Sequence, residues 1–226
     1  NGLKELHIDM AQVEGIFISH EHSDHIAGLQ QLLKRFDIPV YTKQGTWREI
    51  QNKLIVPKNQ LIELTKGSLT LGNLIVEPFA VSHDAADPIG INVFAGKDKA
   101  TVVTDTGVIS DSILRRMDDT TLLVLEANYD PHMLRFGPYQ PFLKQRVASD
   151  EGHLSNEMAA QALLMMNRPD FMQVILAHRS ENNNNAVLVT QTIGKMLVDG
   201  GVRIGPEMKL QHGQPNEIVS MKSVKR

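Results

Sequence analysis

Five apolar runs in this chain each end on a group that can bind a metal or carry a proton. Ile16–Ser19 stops at His20, Phe79–Ser82 at His83 and Thr101–Thr104 at Asp105. Leu122–Leu125 stops at Glu126, and Val174–Ala177 stops at His178. Such short runs, rich in branched side chains, read as buried strands. In sheet-built enzymes, ligands collect beyond one end of the strands, where loops are free to vary. If the five runs lie roughly side by side, their terminal groups converge on one edge. The chain must then fold so that distant segments end at the same rim.

The first of these ends is the densest. The stretch Ser19-His-Glu-His-Ser-Asp-His25 places three imidazoles and two acids in six consecutive positions, His20 to His25. His20 and His22 are two residues apart, a spacing that points both rings the same way on extended backbone. Asp24 and His25 follow as the chain turns into a helix, and can aim at a second position. Neutral imidazole is a good ligand for zinc, and suits iron or manganese with carboxylate help. One loop could therefore feed two metals. Two cations that close need a shared anion, and Asp105 is the natural bridge. His83 and His178 would complete the two shells. Ligating imidazoles are expected to donate their other N–H to a carboxylate or carbonyl. His7, His132 and His212 stand apart from the cluster and read as surface or core histidines.

The remaining pattern is mixed. Further strands are expected at Val40–Thr42, Leu61–Leu64, Ser68–Leu71, Leu74–Ser82, Ile91–Ala95 and Ala100–Thr104. Ile26, Leu29, Leu32, Leu33 and Phe36 mark one face of a helix that Pro39 stops. Thr46 and Glu49 have the spacing of a capping box opening a short helix. Ser155 can cap a helix carrying Met158, Ala159, Ala162, Leu163 and Met166. Ala186–Leu197 reads as a helix closed by Gly200-Gly201. This alternation suggests two sheets with helices packed outside. A chain of 226 residues with 42% apolar and 22% charged content can build its own core. There is no cysteine, which fits a reducing compartment such as the cytoplasm. The formal charge is −3, so no global basic field announces a nucleic-acid partner, although a local basic groove is compatible with it. No apolar run is long enough to span a bilayer, and the start carries no secretory signal.

With those residues in view, the chain resembles the metallo-β-lactamase-fold hydrolases. Their signature His-x-His-x-Asp-His is matched by His20, His22, Asp24 and His25. Later motifs are matched by His83 in Val81-Ser-His83, by Asp105 in Thr104-Asp-Thr-Gly107, and by His178. The resemblance implies a single domain over residues 1–226, a four-layer αββα sandwich with mixed α and β structure. It also implies two divalent ions, zinc or manganese. By similarity one ion takes His20, His22 and His83, the other takes Asp24, His25 and His178, and Asp105 bridges them. The family usually begins with strands ahead of the histidine motif. Only nineteen residues precede His20 here, none fits that pattern, and the first strands are expected to be missing.

The subgroup narrows on Leu125-Glu-Ala127, Gly152-His-Leu-Ser155 and Leu176-Ala-His178. These resemble the phosphodiesterase branch that includes the tRNA 3′-processing nucleases. The longer stretches from Leu125 to Asp130, Gly152 to Glu157 and His178 to Asn183 look most like the WalJ/VicX (YycJ) type of bacterial exonuclease. That resemblance implies DNA as substrate. It makes His153 the group that donates a proton to the departing oxygen, with Glu126 orienting it and favouring its charged form. Arg179, Lys144 and Arg146 are candidates to hold backbone phosphates, and Asn128 to line the cleft. Two rivals stay open at this point. One is a thioester, lactone or cyclic-phosphodiester hydrolase on the same scaffold. The other is a metal-binding regulatory module without catalysis.

Overall fold

A computed structural model describes residues 2–65, 67–215 and 217–220. After a short helix α1 (Gly2–Glu5), the first half builds a small parallel sheet and its helical cover. The strands are β1 (Ile16–Phe17), β2 (Val40–Thr42) and β3 (Leu61–Glu63), in the order β1-β2-β3. Helices α2 (Ser23–Ile26), α3 (Leu29–Leu33) and α4 (Gln44–Lys53) connect them. Residues 69–212 then contribute a mixed sheet of β4 (Leu69–Leu71), β5 (Leu74–Ala80), β6 (Ile89–Ala95), β7 (Asp98–Val103), β8 (Leu122–Glu126), β9 (Met172–Ala177) and β10 (Met208–His212). Their spatial order is β10-β9-β8-β7-β6-β5-β4.

Side-chain alternation explains the layering. In β1 and β2, Ile16 and Val40 turn toward Leu29, Leu33, Trp47 and Ile50 of α3 and α4. Their neighbours Phe17 and Tyr41 turn the other way, stacked with ring centroids 5.0 Å apart. They meet Ile89 and Ile91 of the large sheet. The far face of that sheet presents Val103, Leu123, Leu125, Val174 and Leu176 to three further helices. These are α5 (Asp111–Met117), α8 (Asn156–Met165) and α9 (Ala186–Asp199). Leu123, Leu125, Leu163, Ile193 and Leu197 are fully shielded from water. Each such side chain is worth about 1.5–3 kcal/mol relative to exposure. Helix, sheet, sheet and helix thus follow one another as the expected four layers.

Strand direction decides where the chemistry falls. β7, β8 and β9 run parallel to one another. β5 is antiparallel to β6 and β6 to β7, so β5 shares their direction. The carboxyl ends of β5, β7, β8 and β9 therefore open on one edge. β1 delivers the His20 loop there as well, because Ile89 N–H at the start of β6 donates to Ser19 O at 3.1 Å.

Several local expectations are corrected. The helix expected from Ile26 to Phe36 is split into α2 and α3, with Gly28 at the break. Thr46 does not cap a helix: α4 begins at Gln44, two residues earlier. The Thr46 hydroxyl instead donates to Asp87 O at 3.2 Å, so it secures the loop that follows His83. β10 went unrecognised in the sequence, although Met208 and Leu210 alternate with polar residues. Glu126 is the last residue of β8 rather than the first beyond it. By contrast Ser155 caps α8 as expected, accepting from Met158 N–H at 3.1 Å.

Candidate metal centre

The rim gathers every histidine and acid that the strand ends pointed to. His20 Nε2 and His83 Nε2 lie 3.0 and 3.2 Å from His22 Nδ1. Three imidazole nitrogens from two loops thus face one point. A second group forms beside it. His178 Nε2 is 3.7 Å from Asp24 Oδ2, and His25 Nε2 is 3.5 Å from the same oxygen. Asp105 stands between the two. Its Oδ1 is 3.3 Å from His178 Nε2 and 3.8 Å from His83 Nε2, while Oδ2 is 3.4 Å from His25 Nε2. The trio His20, His22 and His83 and the trio Asp24, His25 and His178 each keep their ligand atoms within 4.8 Å of one another. His7, His132 and His212 belong to no such group among the described residues.

The backbone is bent to reach this geometry. Asp105 and His178 both adopt left-handed conformations, with φ of 55° and 51°. Non-glycine residues occupy that region at a cost, and do so mostly where the surroundings over-determine it. Here the strain turns Asp105, two residues past β7, and His178, the first past β9, back across the strand ends.

The donor set suits divalent cations. Asp105 Oδ2 is buried and makes no good hydrogen bond within the protein, so it is an acceptor looking for a partner. Burial, helped by the neighbouring His25, pushes the His20 imidazole down to about 3, which keeps it neutral and ready to ligate. Hydrogen bonding to His178 holds the Asp24 carboxyl well below its usual range. Burial opposes ionisation of Asp105, but His25, His178 and His20 outweigh it and hold this acid low too. The same acids act on His178: burial disfavours its charge, yet Asp24, Glu126 and Asp105 push it up to about 11. A cation held by those acids competes with that proton, and ligation would displace it.

The outer contacts are as specific as the inner ones. His178 Nδ1 donates to Glu126 Oε1 at 2.6 Å, and His83 Nδ1 is 3.1 Å from Gly152 O. Ser19 Oγ lies 3.1 Å from both His20 Nδ1 and His25 Nδ1. Each fixes a ring so that its other nitrogen faces the centre. Ser19 was not singled out in the sequence, where it reads only as the end of a strand. Loss of such an outer contact typically costs about 10–100-fold in metal affinity. Ser19→Ala is therefore expected to weaken metal binding by that order, read by competition against a chromophoric chelator. Unchanged affinity would make the hydroxyl a bystander.

Glu126 does more than the sequence suggested. It is fully buried, and its Oε1 also takes His153 Nδ1 at 2.7 Å. Its Oε2 accepts backbone N–H groups of Thr106 and Leu154 at 3.3 and 3.2 Å. Burial works against its charge, but His153 and His178 hold the carboxyl below its ordinary value. One buried carboxylate thus orients a ring in the metal group and a ring outside it. Gly152, just before His153, fits where a Cβ would come within 2.2 Å of Arg146 O.

A cleft of about 1,020 Å³ opens from this rim, lined in part by Asp24, Asn128, His153, His178 and Arg179. Asn128 donates to His178 O at 2.8 Å, which braces the ligand loop. Arg179 lines the wall and keeps a buried Nη1 without a hydrogen-bond partner. Arg146 also lines the cleft but is engaged with Asp84, whose Oδ1 lies 3.4 Å from His83 Nε2. Lys144 lies off the cleft wall, its ammonium donating to Arg135 O at 2.8 Å.

The sequence profile of the beta-lactamase superfamily domain matches residues 3–178. Exodeoxyribonuclease YycJ of Bacillus anthracis is 34% identical over 214 residues, which is 94% of this chain and 81% of that protein. Exodeoxyribonuclease WalJ of Streptococcus pneumoniae is 32% identical over 219 residues, covering 95% and 81%. Among solved structures, the metallo-beta-lactamase fold protein YhfI from Bacillus subtilis aligns with a TM-score of 0.66 at 16% identity, over 88% of this chain and 75% of that one. The short form of human tRNase Z aligns with a TM-score of 0.56 at 20% identity, over 79% and 77%. These two likenesses speak for the fold. That fold carries a clustered rim of histidines and acids for divalent metals, and with the matched profile it means that the chain belongs to the beta-lactamase superfamily.

Proposed function

We propose that this protein is a dinuclear metal-dependent phosphodiesterase that removes nucleotides from an end of DNA. The observation that carries the reading is the shared Glu126, which ties His153 to the metal-facing His178. Simple metal-assisted acyl transfer has little use for a proton carrier beside the centre, whereas expelling a sugar oxygen does. The two curated relatives, both named exodeoxyribonucleases, support the substrate class.

In this reading His20, His22 and His83 would hold one ion, Asp24, His25 and His178 would hold the other, and Asp105 would serve both. Two divalent ions, zinc or manganese, would supply an acidified water and positive charge for the phosphate oxygens when bound. The chain does the rest. Glu126 accepts the Nδ1–H of His153, so that the doubly protonated ring turns its second N–H, at Nε2, to the cleft that His153 lines. From there His153 hands a proton to the departing oxygen. Asn128 keeps His178 in place, and Arg179 offers its unpartnered Nη1 to a phosphate. Lys144 and Arg146 add positive charge beside the cleft. Residues 1–226 act as one catalytic domain. The complete absence of cysteine suits work in the cytoplasm. No helix among the described residues is long and apolar enough to cross a membrane.

The test is digestion of end-labelled duplex and single-stranded DNA with manganese, with zinc and with chelator, beside a thioester and a lactone. Metal-dependent release of mononucleotides from one end is the expected result. Hydrolysis of the thioester or lactone with DNA left intact would move the protein to another reaction class. Metal binding without turnover of any substrate would make it a regulatory module.

A further inference from the structure

Two helices between β8 and α8 remain without a role: α6 (Pro131–Phe136) and α7 (Pro141–Val147). We propose that this helical hairpin is an arm that binds single-stranded nucleic acid leading out of the cleft, stacking bases on Phe136 and Phe142 beside the cations Arg135 and Lys144. The inference rests on the phosphodiesterase reading and names the strand form that the same site would handle.

Exposure and charge argue for it together. Phe136 and Phe142 are 67% and 71% exposed, and no other aromatic residue ranks among the exposed large hydrophobic side chains of the described residues. Between Pro131 and Val147 the charged side chains are Arg135, Lys144 and Arg146, with no carboxylate, in a chain whose net charge is −3. The preceding acid, Asp130, is occupied as the cap of α6, accepting from Met133 N–H at 2.8 Å. The Arg135 guanidinium sits over the Phe136 ring at 5.3 Å from its centroid. The His132 ring also tilts against Phe136, centroids 4.6 Å apart, yet both phenyl rings stay largely exposed. Cations interleaved with exposed aromatic rings are the elements of sequence-tolerant single-strand binding. A second copy of this chain fits poorly, because joining two such arms would bring like charges together.

The arm is stiff and continuous with the cleft. Pro131 and Pro141 each begin a helix, where a fixed φ costs nothing. Lys144 Nζ ties α7 to the end of α6 through Arg135 O. At the bend, Gly137 fits where a Cβ would stand 2.5 Å from Asn183 Oδ1 and from Met133 O. Tyr139 and Leu143 of the same hairpin line the cleft that reaches His153 and His178. A strand end seated at the centre therefore passes the arm as it leaves. Duplex bases are already stacked on each other, so an unpaired strand gains most from such a platform.

The experiment compares the wild type with Phe136→Ala/Phe142→Ala and with Phe136→Tyr/Phe142→Tyr, all metal-loaded. Binding of a labelled thymidine oligomer of about 12 nucleotides is followed by anisotropy, a length within the usual site size. Hydrolysis of that oligomer and of bis(p-nitrophenyl) phosphate is measured beside it. Stacking one base is worth about 5- to 150-fold in affinity. The alanine pair should weaken oligomer binding at least tenfold and lower the oligomer-to-small-diester ratio of kcat/KM, mainly through KM. The tyrosine pair, which keeps the rings, should retain both. An unchanged ratio and unchanged binding in the alanine pair would overturn the arm. So would a wild-type dimer that the alanine pair dissociates, since the face would then join two copies. If the wild type hydrolysed no diester while the alanine pair still lost oligomer binding, the arm would stand and the phosphodiesterase reading would fall.

Discussion

Replacing Asp105 with alanine is expected to empty the centre and abolish turnover, with a loss exceeding the roughly 10–100-fold typical of an outer contact. Among the described residues, Asp105 is the one whose carboxylate reaches both halves of the cluster, His83 on one side and His25 and His178 on the other. Without it, cations at the two positions would face each other with no anion between them. Six side chains would remain, five of them uncharged when they ligate. Metal per chain after dialysis, read by plasma mass spectrometry, is the measurement. A parallel melting curve separates ligand loss from unfolding. The backbone adds a control, because Asp105 sits at φ 55°, a region that asparagine tolerates nearly as well. Asp105→Asn keeps the turn and removes the charge, so it should fold like the wild type and still lose metal. If both variants kept full metal content, Asp105 would have no bridging role.

The rim was legible because its signals are local. His20, His22, Asp24 and His25 sit within one loop, and each further ligand follows an apolar run whose period marks a strand. Convergence of those ends needs only that the strands share a direction, which β5, β7, β8 and β9 do. What escaped is whatever depends on a partner far away in the chain. Ser19 bonds two ligand rings, but nothing in its neighbours distinguishes it from any strand-ending serine. Thr46 looked like a cap because its spacing to Glu49 is correct, yet its hydroxyl reaches Asp87, 41 residues on. The pairing of Asp84 with Arg146 spans 62 residues and left no mark on either segment. Strand β10 alternates correctly, but five residues with a lysine, a glutamine and a histidine are a weak signal until β9 is there to pair with.

His153→Ala is expected to keep its metals and to lose about 10²–10⁴ in turnover on DNA, the usual consequence of removing a general acid. His153, Glu126, Asp105 and His178 also bring ligand atoms within 4.8 Å of one another, so hydrogen bonding rather than distance sets His153 apart from the ligands. His153 hangs from Glu126 through Nδ1, as His178 does, but only His178 directs Nε2 at Asp24 and Asp105. Removing the His153 ring leaves Glu126 bonded to His178 and to the backbone of Thr106 and Leu154, so the buried carboxylate keeps its partners. The loss should also depend on the leaving group. A sugar alkoxide needs the proton, whereas p-nitrophenolate departs without one. The variant should therefore approach wild-type rates on an aryl phosphodiester while failing on DNA. Glu126→Gln, which disturbs both rings at once, should lower metal affinity and turnover together. Equal losses for His153→Ala on both substrates, or loss of metal from that variant, would place His153 in the metal shell and leave the departing oxygen without its proton donor.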